Sequence, residues 1–99
     1  MWVTELVVDA PGNEPVLTID PQGRPHVLFS YGGSTAIHVT KQAGSWKSTF
    51  VTDANGIALE LLVDSAGNLH ALLDRSQNPK IVYATLPANS THWNVTPFT

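Results

Sequence analysis

The chain contains no cysteine, so no disulfide staples it and no thiolate is available to a metal. That absence suits a cytosolic protein and a bacterial exported one alike, and it fixes no compartment; a secreted or cell-surface parent stays open. Charged residues make up 13% of the 99 residues, about half the usual fraction of a soluble domain. Five Lys and Arg stand against eight Asp and Glu, a net charge of -3, with no basic stretch. A run of phosphates would find nothing to neutralise it, and nucleic acid is not an expected partner. No apolar run approaches the roughly 20 residues that cross a membrane, so no membrane span is expected. Met1–Glu5 shows neither a basic region nor a long apolar core, so no signal peptide is read there. There is no Gly-x-Ser-x-Gly, no phosphate loop and no His pair at helical metal spacing. No catalytic residue, metal or cofactor is assigned. Helical periodicity nowhere exceeds two turns, which leaves an all-β chain, expected to be one domain over 1–99.

What is present is a repeat. Trp2 recurs as Trp46, Val7 as Val51, Asp9 as Asp53 and Gly12 as Gly56, a period of 44 residues. Leu17 falls on Leu61, Asp20 on Asp64, Gly23 on Gly67, His26 on His70, Leu28 on Leu72 and Ile37 on Ile81. Trp46 then recurs as Trp93, 47 residues on, and the extra residues are expected in the loop Leu86–His92. Each unit reads as four short strands separated by turn chemistry, with Gly for positive φ and Asp or Asn bonding its own turn. The first unit is expected over 15–52 and the second over 58–98. A copy of the fourth strand over 2–8 precedes them as an extra outer strand.

Strand alternation puts Val27, Phe29 and Tyr31 on one side of the second strand and His26, Leu28 and Ser30 on the other. Both sides carry apolar groups, whereas a two-layer sandwich leaves one face of each sheet polar. Sheets covered on both faces, four strands to a repeat of this length, are what propeller blades look like. The expectation is a β-propeller segment of two four-stranded antiparallel blades plus the N-terminal outer strand. Two blades cannot close a ring, so the partners expected are further blades, from identical copies or from a companion chain.

Asp20-Pro-Gln-Gly-Arg-Pro-His26-Val-Leu-Phe and its copy Asp64-Ser-Ala-Gly-Asn-Leu-His70-Ala-Leu-Leu resemble bacterial propeller repeats, loosely related to the sialidase-like or Asp-box superfamily. His26 and His70 stand where the strict Asp-box has an aromatic residue. The resemblance implies a propeller and leaves its activity open, because such folds serve lectins, polysaccharide lyases and hydrolases, and scaffolds. The expected function is a non-catalytic module binding a carbohydrate or a protein through repeated surfaces between blades. The alternatives are part of a propeller enzyme acting on polysaccharide, with His26 or His70 and Arg24 in its site, and a structural fragment without a ligand.

Candidate ligand contacts follow from residue type, and each has a plain structural counterpart. Trp2, Trp46 and Trp93 open the outer strands; they either pack between blades or stack on a sugar face, helped by Tyr31 or Tyr83. His26 and His70 either tie their rings to the Asp20 and Asp64 turns or contact ligand. Arg24 would pair with a uronate. Glu60 stands where the first unit has Val16, so the repeat does not require its charge. Asp20 and Asp64 are expected to cap their turns. Asn89-Ser-Thr91 and Asn94-Val-Thr96 match glycosylation sequons, which matter only in a eukaryotic secretory setting.

Overall fold

The computed structural model describes residues 4, 13–31, 35–55, 57–74 and 81–97. These residues form eight strands: β1 (Asn13–Ile19), β2 (Pro25–Tyr31), β3 (Thr35–Gln42), β4 (Ser45–Asn55), β5 (Ile57–Val63), β6 (Leu69–Asp74), β7 (Ile81–Leu86) and β8 (Asn94–Pro97). Their order is β1-β2-β3-β4 in one sheet and β5-β6-β7-β8 in the other, every pairing antiparallel. Each sheet is therefore a simple meander, and neither closes on itself. Among the described residues, a two-residue reversal (Ala43–Gly44) and Asp-led turns connect antiparallel neighbours without a helix. Apart from Thr4, the residues of the strand expected over 2–8, Trp2 among them, lie outside the described residues.

The ladder register shows which side chains share a face. Val16, Leu28 and His38 line up across the first sheet, and Glu60, Leu72 and Tyr83 line up across the second. We call this the forward face of each unit. Leu17, Val27 and Val39 lie on the rear face of the first unit, and Leu61, Ala71 and Ala84 on the rear face of the second. The forward face of unit one packs on the rear face of unit two. The shared core joins Leu28, Ala36 and Val51 to Leu61, Leu69, Ala71, Leu73, Ala84, Leu86 and Trp93. Each fully buried aliphatic side chain contributes about 1.5–3 kcal/mol. One polar link crosses as well, from the Ala58 N–H to Ser30 Oγ at 3.3 Å.

The register corrects the repeat at one place. Leu28 pairs with His38 and Leu72 with Tyr83, so His38 corresponds to Tyr83, 45 residues on, and Ile37 corresponds to Val82 rather than Ile81. One of the three extra residues thus enters before β7, and only two lie in the 86–92 loop. A slip of one residue exchanges the two faces of a strand, so this correction decides which side chains meet the histidines.

Candidate functional site

The turn after β1 and the turn after β5 are built alike. Asp20 Oδ1 accepts the N–H groups of Gln22 and Arg24, both at 2.9 Å. Asp64 Oδ1 accepts those of Ala66 and Asn68 at 3.0 and 2.9 Å. A backbone bond from Gly23 to Asp20, and from Gly67 to Asp64, closes each turn. These glycines sit at φ of +81° and +90°, where a side chain would be strained. Both aspartates cap their turns by this geometry.

The second carboxylate oxygen holds the histidine. Asp20 Oδ2 lies 2.8 Å from His26 Nε2, and Asp64 Oδ2 lies 2.9 Å from His70 Nε2. Arg24 Nε also donates to Asp20 Oδ2 at 2.9 Å, a place taken in unit two by Asn68 Nδ2 at 3.1 Å. A carboxylate only accepts, so each imidazole carries a proton on Nε2, and in the neutral ring Nδ1 is left as an acceptor. His26 Nδ1 lies 3.0 Å from His38 Nε2, and His70 Nδ1 lies 2.6 Å from the Tyr83 hydroxyl; with neutral His26 and His70 rings, His38 and Tyr83 are the donors. Two relays result, Asp20–His26–His38 and Asp64–His70–Tyr83. The stacked rings are 5.2 and 6.0 Å apart.

Their surroundings differ. In the first relay Asp20, His26 and His38 are buried, and the Trp93 ring from unit two stands edge-on to His38 at 5.5 Å. In the second, the His70 and Asp64 side chains remain 35% and 38% exposed. Burial, and then the neighbouring His26, push His38 down to about 4. Burial works against the Asp20 charge, yet the hydrogen bonds from His26 and Arg24 hold its carboxyl at about 2. The bond from His70, followed by those from Asn68, brings Asp64 to about 2 as well.

Between the two units lies a groove of about 460 Å³. Its first wall carries Gln22, Arg24 and Gln42, its second Asn89, Ser90 and Thr91, and Asp20 and His26 lie at its base. Two residues in this rim hold left-handed backbone, Ala43 at φ +51° and Asn89 at φ +64°. Ala43 and Gly44 together make the tight reversal between β3 and β4, which requires positive φ at both positions. Among the described residues the groove offers amide, hydroxyl and guanidinium groups and no Trp, Tyr or Phe side chain. Among the described residues, no cluster of three His, Asp or Glu is arranged to hold a metal.

Of the nine expected ligand contacts, the groove gathers Arg24 and His26. Trp93 is buried between the units. Trp46 lies on the rear face of unit one, with the Lys41 ammonium 5.7 Å from its ring centre. His70, Tyr83 and Glu60 lie together on the forward face of unit two. Trp2 and the Tyr31 side chain lie outside what the structure describes. Sequence reasoning missed Gln22, Gln42, Asn89, Ser90 and Thr91. The signal for the last three was the insertion itself, since residues added to one copy of a repeat map to loops on one face. No protein-family model matches the chain, and no curated protein or solved structure resembles it significantly.

Proposed function

We propose that the chain is a pair of propeller blades forming a non-catalytic binding module, with the inter-unit groove as its site for a neutral polar ligand of the carbohydrate type. Two four-stranded meanders that stack forward face on rear face support the blade reading. The observation that carries the functional reading is the groove's lining. Gln22, Gln42 and Asn89 amides, with Ser90 and Thr91 hydroxyls, present donors and acceptors from both walls, which suits a ligand rich in hydroxyls. The Arg24 charge is already matched by Asp20 at 2.9 Å, which favours a neutral ligand over an acidic one. Both ring nitrogens of His26 are engaged, one by Asp20 and one by His38. A general base needs a free nitrogen within reach of substrate, so binding is favoured over catalysis.

The test is an amide-resolved NMR titration with a panel of neutral mono- and oligosaccharides. The reading expects shifts confined to residues 20–24, 42–43, 66–67 and 86–91. Gln42 is exposed, so Gln42→Ala leaves the fold intact; it should weaken binding about fivefold, the loss of one hydrogen bond. Shifts centred on Trp46, or none with any sugar, would remove the groove reading and leave a scaffold without a ligand.

A further inference from the structure

The two relays end in different groups. In unit one the last member is the imidazole of His38; in unit two it is the phenol of Tyr83. A phenol gives up an electron far more readily when its proton has somewhere to go, and here the destination is built in. The Tyr83 hydroxyl lies 2.6 Å from His70 Nδ1, with the two ring planes within 16° of each other. His70 Nε2 is held by Asp64 Oδ2 at 2.9 Å, and the same oxygen accepts Asn68 Nδ2 at 3.1 Å. The bonds from His70 and Asn68 hold the Asp64 carboxyl at about 2, so it stays ionised and favours positive charge on the imidazole. Tyr83 is half-buried, and the His70 side chain is 35% exposed, so a soluble oxidant can come close.

The other electron-rich rings among the described side chains are placed less well for this chemistry. Trp93 Nε1 is buried without a hydrogen-bond partner. No base stands ready for its proton, and a radical cation there would sit in the apolar core, where unpaired charge is costly. Beside the Trp46 ring stands the Lys41 ammonium, 5.7 Å from the ring centre. That positive charge opposes the formation of another in the ring.

We propose that Tyr83 is a proton-coupled redox site, giving one electron to an outer-sphere one-electron oxidant while its proton passes to His70. In this step the phenol O–H bond breaks and an N–H bond forms at His70 Nδ1. The oxidant is reduced by one electron. A neutral phenoxyl radical and an imidazolium remain. The Nε2 proton of His70 stays in place, bonded to the Asp64 carboxylate, which offsets the new positive charge. Return of an electron brings the proton back and restores the phenol, so the site can take up a charge and pass it on without covalent change. This chemistry needs only the outward relay of unit two and is independent of any ligand in the groove.

The experiment is flash photolysis of the full chain with a tris(bipyridine)ruthenium complex and a sacrificial electron acceptor, which together generate the oxidant. Freeze-quench electron paramagnetic resonance identifies the radical. The wild type is expected to give a tyrosyl signal that Tyr83→Phe lacks. In His70→Ala the tyrosyl radical should form about 100-fold more slowly, the loss of a positioned base. Both side chains are partly exposed, so circular dichroism should show the variants folded. The wild type alone supplies a further readout: because proton and electron leave together, the radical should form more slowly in heavy water. A wild-type radical on tryptophan, a tyrosyl signal that survives in Tyr83→Phe, an undiminished rate in folded His70→Ala, or equal rates in light and heavy water would each overturn the proposal.

Discussion

The two Asp–His relays carry the same bonds in different settings. Asp20–His26–His38 lies under Trp93, closed off by the second unit, whereas Asp64–His70–Tyr83 faces outward. The turn geometry is indifferent to this, since the capping distances agree within 0.1 Å. What changes is the cost of losing a partner. A buried polar group left alone forfeits its full desolvation penalty, while an exposed one recovers water. The two relays therefore separate the local role of the motif from the role that packing adds to it.

The largest effect is expected at the lid of the buried relay. Trp93→Ala opens a cavity over His38 and should cost about 4 kcal/mol, read from urea denaturation midpoints. Trp46→Ala, at the half-buried equivalent position, should cost clearly less. Equal losses would mean that the inter-unit contact adds nothing to the repeat. Next comes the carboxylate. Asp20→Ala strands His26 and Arg24 and should cost about 3 kcal/mol. The matching Asp64→Ala should produce a distinctly smaller shift in midpoint. If the two were alike, the turn alone would account for both.

The smallest effect is the most diagnostic, because it depends on titration. His38 falls from 6.5 to about 4 on folding, so the unfolded chain binds the extra proton between these values. Stability is then fully present above pH 6.5 and is lost as pH falls toward 4. The loss between pH 7.5 and 5 should be about 2 kcal/mol. In His38→Gln the His38 share of this slope should be lost, and in Tyr83→Phe it should persist. Asp20 and Asp64, both lowered to about 2, add a further loss below pH 4 in every one of these proteins. A wild-type profile flat from pH 7.5 to 5 would show that His38 titrates normally and is not enclosed.

The turns were legible in the chain because every bond in them is local. Asp20 reaches Gln22, Arg24 and His26 within six positions, and Gly23 marks the reversal. β2 and β6 run over 25–31 and 69–74, where alternation and Asp-led turns bound them on one side. The third member of each relay was hidden. A uniform shift of 44 set Ile37 against Ile81 and so concealed that His38 and Tyr83 occupy one position. Nothing in the sequence announced the single residue inserted before β7. The groove was hidden for a different reason: one wall comes from unit one and the other from a loop with no counterpart, so neither periodicity nor motif joins them. Trp93 was recognisable as a candidate for packing between sheets, but which sheet it met depends on the stacking of forward face on rear.

The capped turns also bear on how the chain folds. Their hydrogen bonds join residues no more than six positions apart, so the entropy lost in closing them is small. The hairpins β1–β2 and β5–β6 can therefore form early and independently, each nucleated by its own aspartate. The meeting of Trp93 with His38 spans more than half the chain and rewards the chain only once both sheets exist. Substitutions in the turns should then slow folding, whereas loss of the Trp93 ring should chiefly speed unfolding.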